Sequence, residues 1–117
     1  MSVDLPEEEG GTNVGTSALE LTVLSLAGCI TTIFGLVARK RRLSFDALRV
    51  ELNAERSTGA PTLQSVHGTL EVRSEAPREE VEAVLRLTLK TCPVGVLFEQ
   101  AHIPVVVALR LFRPVPA

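Results

Sequence analysis

The stretch SALELTVLSLAGCITTIFGLVARKRR, residues 17–42, decides how the rest of the chain must fold. Leu21 to Ala38 is 18 residues without a charge. Ser17 or Thr16 can cap a helix, and Glu20 then falls near N3, the spacing of a capping box. The basic run Arg39, Lys40, Arg41 and Arg42 suits the negative pole of the helix dipole at the other end. The spacing predicts one helix from about residue 17 to 41. An uncharged span of this length followed by cations stands at the lower edge of a membrane crossing. Its inner pattern favours a buried helix instead. Leu19, Val23, Leu26, Ile30, Ile33 and Val37 step by three and four as one bulky stripe, and Ala18, Ser25, Gly28, Thr32 and Gly35 form a small-residue stripe roughly opposite. Two unlike faces predict a helix between its own sheet and a second close-packed helix. Small stripes also pack membrane helices, so a membrane anchor through residues 21–38 is the rival to a soluble domain.

Outward from that helix, residues 45–54 alternate, with Leu48, Val50 and Leu52 on one side and Arg49, Glu51 and Asn53 on the other, as in a half-buried strand. After the turn signal at residues 57–61, residues 63–73 read as a return strand presenting Val66, Gly68, Leu70 and Val72, and the pair is most simply antiparallel. Pro77 opens a second helix with Glu79 and Glu80 in its first turn and an apolar stripe of Val81, Val84, Leu85 and Leu89. A short helix from Pro93 to about Gln100 and a last strand, residues 104–112, complete the order helix, strand, strand, helix, helix, strand. The fold class expected is α/β in the α+β sense, a long helix on an antiparallel-rich sheet. Residues 1–16, polar and glycine-bearing, read as a flexible arm, and residues 17–113 as a single domain.

The 117 residues allow one core. At 45% hydrophobic but only 3% aromatic, that core must be built from aliphatic side chains. A net charge of −2 and the absence of aromatics beside cations give no platform for nucleic acid. Asp4, Glu7, Glu8 and Glu9 at the N-terminus are the reverse of a secretory leader, so a cytoplasmic location is expected. Two cysteines, 63 positions apart, are too few for a secreted disulfide framework. Cys29 lies midway along the long helix, where a buried packing thiol is the ordinary reading. Cys92 precedes Pro93 and is a candidate N-cap, a place where backbone N–H groups and the helix dipole favour a thiolate. His67 on its strand and His102 in a loop read as surface histidines. A zinc site from Cys29, Cys92, His67 and His102 lacks any close ligand pair. No metal and no cofactor is expected.

Ser17 to Cys29, with its small-residue lead, Glu20-Leu21, an apolar run and Ala27-Gly28-Cys29, resembles the helix signature of the osmotically inducible protein C-like (OsmC/Ohr) family. The Gly-rich approach at residues 10–15 and the later Cys92-Pro93-Val94, followed by a short helix and a Val-rich strand, match it in order. The resemblance covers about residues 10–112. It implies a fold in which two chains interlock as a homodimer around central helices, with active sites at the interface. It also implies reduction of organic hydroperoxides, with Cys29 as the peroxidatic thiol, Cys92 as the resolving thiol, and an external dithiol, in some members a lipoylated protein, closing the cycle. Family members bring an arginine to the site from N-terminal strands, whereas residues 1–16 contain no Arg or Lys, which leaves Arg39, Arg110 or another distant arginine to supply the cation. The family's carboxylate maps to Glu20, nine residues before Cys29, which on one continuous helix puts it half a turn away and about 13 Å along the axis. The function expected is a thiol-dependent hydroperoxide reductase acting on apolar peroxides, lined by Leu26, Ile30, Ile33, Val96, Leu97 and Phe98. The alternative is a non-catalytic member, a structural or small-ligand-binding dimer.

Overall fold

The computed structural model describes residues 17–115; the segment expected to form an arm, residues 1–16, lies outside them. Helix α1 spans Ala18–Lys40. Ser17 caps it in a full capping box: its hydroxyl accepts from the Glu20 N–H at 3.2 Å, and the Glu20 carboxylate accepts from the Ser17 N–H at 3.3 Å. Strand β1 (Ala47–Glu55) and strand β2 (Ser65–Arg73) follow, then α2 (Arg78–Thr91), α3 (Pro93–Gln100) and β3 (Val105–Phe112).

The strand order is β1-β2-β3. β1 and β2 form the expected antiparallel hairpin, with Leu52 opposite Gly68. β3 joins the other side of β2 in parallel, Leu70 opposite Leu109. The sheet is therefore mixed, and the cause is the connection: two strands separated by a helical crossover can lie parallel, and α2 and α3 supply that crossover.

The alternation of apolar residues turns one face of the sheet towards the helices. Leu26, Ile30, Phe34, Val37 and Ala38 of α1 are buried against Val66, Leu70 and Val72 of β2, and Val81, Val84 and Leu85 of α2 and Phe98 of α3 close the same core. Phe34 and Phe45 meet edge to face at 5.6 Å, a favoured aromatic geometry. α1 packs on β1, α2 and α3, so its bulky stripe is spent inside the protein although its length and apolar composition would also suit a membrane span. The opposite stripe behaves otherwise. Ala18, Ser25, Gly28 and Thr32 are exposed, and a Cβ added at Gly28 or Gly35 would meet nothing within 4 Å. Among the described residues, no helix covers this face: α2 lies against α1 without reaching it.

Candidate functional site

Cys92 stands between two helices because Pro93 cannot donate the backbone bond that would prolong α2, yet fits the first turn of α3. Cys92 ends one helix and caps the next, with an extended backbone at φ −64°, ψ 116°. Its N–H is spent on the Thr88 carbonyl at 2.8 Å, and its sulfur accepts from the Gly95 N–H at 3.4 Å. The Cys92 thiol also donates to Cys29 Sγ at 2.6 Å. Both are free thiols, Cys92 fully buried and Cys29 half-buried on α1. Folding thus brings together two sulfurs far apart in the chain, one reachable from solvent and one not.

The helix-capping position of Cys92 does not lower its acidity threshold as the sequence implied. Burial pushes the thiol up to about 11 from its ordinary 9.0, helped by the hydrogen bond to Cys29, while the Gly95 N–H pulls the other way and loses. Desolvation outweighs one long hydrogen bond from a short helix. The folded value is above the unfolded one, so the folded state holds its proton longer. The associated stability is complete below pH 9 and is lost as pH rises towards 11. The free energy of unfolding in urea should fall over that window by roughly 2 to 3 kcal/mol, and Cys92→Ser should remove that part of the slope. An unchanged slope in the serine variant would contradict the assignment.

The other candidates are placed differently. Glu20 is exposed and held in the capping box, and it lines a cleft of about 750 Å³ between α1 and β1 with Val23, Val50, Leu52 and Arg56, away from the sulfurs. Arg39 is ten residues, about 15 Å, beyond Cys29 on α1, and Arg110 pairs with Glu71 at 3.0 Å on the outer face of the sheet. Neither supplies a cation to Cys29 within this chain. His67 is exposed, 3.9 Å from Glu55, and His102 is exposed at the end of α3 with a left-handed φ of 59°. Among the described residues, no three His, Cys, Asp or Glu side chains are grouped to hold a metal ion.

The apolar lining also differs from the expected one. Leu26 and Ile30 are wholly buried and belong to the core. Leu97 and Phe98 do line the open apolar trough, of about 430 Å³, but the rest of it is made by Leu21, Thr22, Ser25, Val94 and Ile103 among others. Ser25 stands one turn before Cys29 on α1 and Val94 two residues after Cys92, while neither cysteine lines the trough itself. Its signal in the sequence was Leu21, Thr22 and Ser25 at helical spacing on the side of Cys29, together with the residue after Cys92-Pro93.

The family model for OsmC-like proteins matches residues 10–108. No curated protein is detectably similar in sequence. Among solved structures, an OsmC-like protein from Mycoplasma pneumoniae superposes with a TM-score of 0.81 at 20% identity, covering 92% of this chain and 78% of that one. An organic hydroperoxide resistance protein from Legionella pneumophila gives 0.72 at 17% identity, covering 92% and 78%. Another from Elizabethkingia anophelis gives 0.75 at 16% identity, covering 91% and 76%. These likenesses establish the shared fold, and with the family match over most of its length, the chain belongs to the OsmC-like protein family.

Proposed function

We propose that this protein is a thiol-dependent reductase of organic hydroperoxides, working in the cytoplasm as a homodimer. The observation that carries the reading is the 2.6 Å separation of Cys29 and Cys92 Sγ. Exposure supports this division of roles: Cys29 is half-buried and can meet a substrate, whereas Cys92 is sealed in the core and keeps its proton. The Cys29 thiolate attacks the outer oxygen of the peroxide; the O–O bond breaks, the alkoxide leaves and takes up a proton as the alcohol, and Cys29 becomes a sulfenic acid. The Cys92 thiol then displaces hydroxide from that sulfur, giving a Cys29–Cys92 disulfide and water. An external dithiol, free or carried as lipoyl on another protein, returns both thiols and leaves as its own disulfide. The trough of Leu21, Val94, Leu97, Phe98 and Ile103 favours an apolar peroxide tail over hydrogen peroxide. The names of the Legionella and Elizabethkingia proteins, both of organic hydroperoxide resistance, agree with this chemistry. A buried bulky stripe on α1 supports a protein that neither spans nor anchors in a membrane.

The test is a titration of the full chain with cumene hydroperoxide. One equivalent should convert both thiols to a single intramolecular disulfide, and excess dihydrolipoamide should sustain peroxide consumption. If both thiols stay reduced and no peroxide is consumed, the enzyme reading fails. The non-catalytic ligand-binding dimer, favoured by the sequestration of Glu20 in the helix cap, then takes its place.

A further inference from the structure

Two free thiols in contact make a chelating pair, whatever redox work they do. Cys92 is fixed on its side: its N–H is tied to the Thr88 carbonyl, its sulfur accepts from the Gly95 N–H, and it has no exposed surface. Cys29 is held in the middle of α1, half-buried, with its sulfur 2.6 Å from that of Cys92. Both sulfurs are therefore positioned by helices before any ligand arrives, and a ligand bonded to the first meets the second at high effective concentration. The approach is open beside Cys29, where a Cβ added at Gly28 would meet nothing within 4 Å. Behind Cys92 it is shut, since a Cβ added at Gly95 would lie 3.7 Å from the sulfur.

Four properties of the pair select its ligand. Sulfur is a soft donor, so thiophilic elements are preferred to hard cations. Only two donors are present: among the described residues no third His, Cys, Asp or Glu is grouped with them, whereas zinc asks for four. One end of the pair is wholly buried, so a product with net charge would be desolvated beside Cys92. That disfavours copper(I), which two thiolates leave with an extra negative charge. Finally, sulfurs 2.6 Å apart suit a bent centre that bonds both side by side. Mercury(II) binds two thiolates in a line and would have to push the sulfurs two bond lengths apart.

We infer that Cys29 and Cys92 form a chelating site for monosubstituted trivalent arsenicals, R–As(OH)2, whose organic group points out past Cys29. Two As–S bonds form and two As–O bonds break. Each departing oxygen takes one thiol proton and leaves as water, and the arsenic stays trivalent. The product is neutral, so nothing charged is buried beside Cys92, and it needs no further protein ligand, oxidant or reductant. The inference shares the sulfur separation with the reading above but uses none of its peroxide chemistry. Sulfurs bonded to arsenic cannot attack a peroxide, so binding also blocks that reaction.

The test is the intact mass of the full chain, reduced and freed of small thiols, after addition of phenylarsine oxide. The expected product gains one phenylarsenic and loses two hydrogens, one from each thiol, and iodoacetamide then alkylates neither cysteine. A small dithiol should strip the arsenic, and a monothiol at the same concentration should not. Cys29→Ser and Cys92→Ser each leave a single sulfur and should bind about a hundredfold more weakly or worse. Unfolding the wild type in urea separates the sulfurs and should weaken binding in the same direction, which keeps the result independent of how either variant folds. An unmodified wild type, an adduct on one sulfur only, or undiminished binding by a serine variant or by the unfolded chain overturns the inference. The chelate in a protein that consumes no cumene hydroperoxide counts against the peroxide reading alone. Peroxide consumption without the chelate counts against this inference alone.

Discussion

Cys92→Ser is expected to deprive the protein of efficient turnover. Without dithiol it should yield one equivalent of alcohol per chain from cumene hydroperoxide and leave Cys29 as a sulfenic acid that dimedone captures as a mass adduct. With dithiol, which must then reduce that sulfenic acid directly, turnover should fall well below that of the wild type. Cys29→Ser should consume no peroxide and leave Cys92 a thiol. The asymmetry follows from the geometry. Cys29 is half open to solvent while Cys92 has no exposed surface, and burial holds the Cys92 thiol near 11. At neutral pH the proton stays on Cys92 and points at Cys29 Sγ, which marks Cys29 as the sulfur left to attack. The serine hydroxyl can take the same Gly95 N–H that Cys92 takes now, and serine is a better helix N-cap than cysteine, so the fold should survive. Sustained wild-type turnover by Cys92→Ser would show that the sulfur pair is not the working device. A single turnover by Cys29→Ser, with none by Cys92→Ser, would reverse the roles.

The parts of the fold visible in the sequence are those fixed by local spacing. The capping box of Ser17 and Glu20, the hairpin faces of Leu48, Val50 and Leu52 against Val66, Leu70 and Val72, and Pro93 after Cys92 are each set by neighbours within a few residues. What stayed hidden depends on which surfaces meet. Phe34 belongs to the buried face of α1 beside Ile30, and the stepping by three and four passed over it because a helix of 3.6 residues per turn lets a buried face widen. Leu26 and Ile30 look like a substrate lining from position alone, but the sheet takes them. The meeting of Cys29 and Cys92 was legible only through likeness to a family, because loops and helices of any number of arrangements would give the same one-dimensional pattern. The acidity of Cys92 was read with the wrong sign, since the helix N-terminus shows in the sequence and the burial that outweighs it does not.

Gly68→Ala is expected to be the most damaging small substitution in the hairpin. Gly68 lies opposite Leu52 in the middle of β2, the strand with a neighbour on each side. A Cβ built there would overlap the Glu51 carbonyl oxygen outright and come within 2.9 Å of the Glu51 carbonyl carbon and Leu52 Cα. The obstacle is backbone, so no rotamer change relieves it, and β2 cannot retreat without breaking its parallel ladder to β3. Glycine serves here for room rather than for an unusual dihedral, Gly59 being the described glycine with a positive φ. The destabilisation should reach or exceed about 3 kcal/mol, the upper end of ordinary overpacking, a large part of the 5 to 15 kcal/mol that holds a domain of this kind together. Gly28→Ala is the control with the opposite sign: its Cβ meets nothing within 4 Å on α1, and helix propensity alone should stabilise by up to about 1 kcal/mol. Urea unfolding of the two variants beside the wild type decides it. Equal midpoints for Gly68→Ala and wild type would mean that the hairpin backbones do not approach as closely as Glu51 and Gly68 do here.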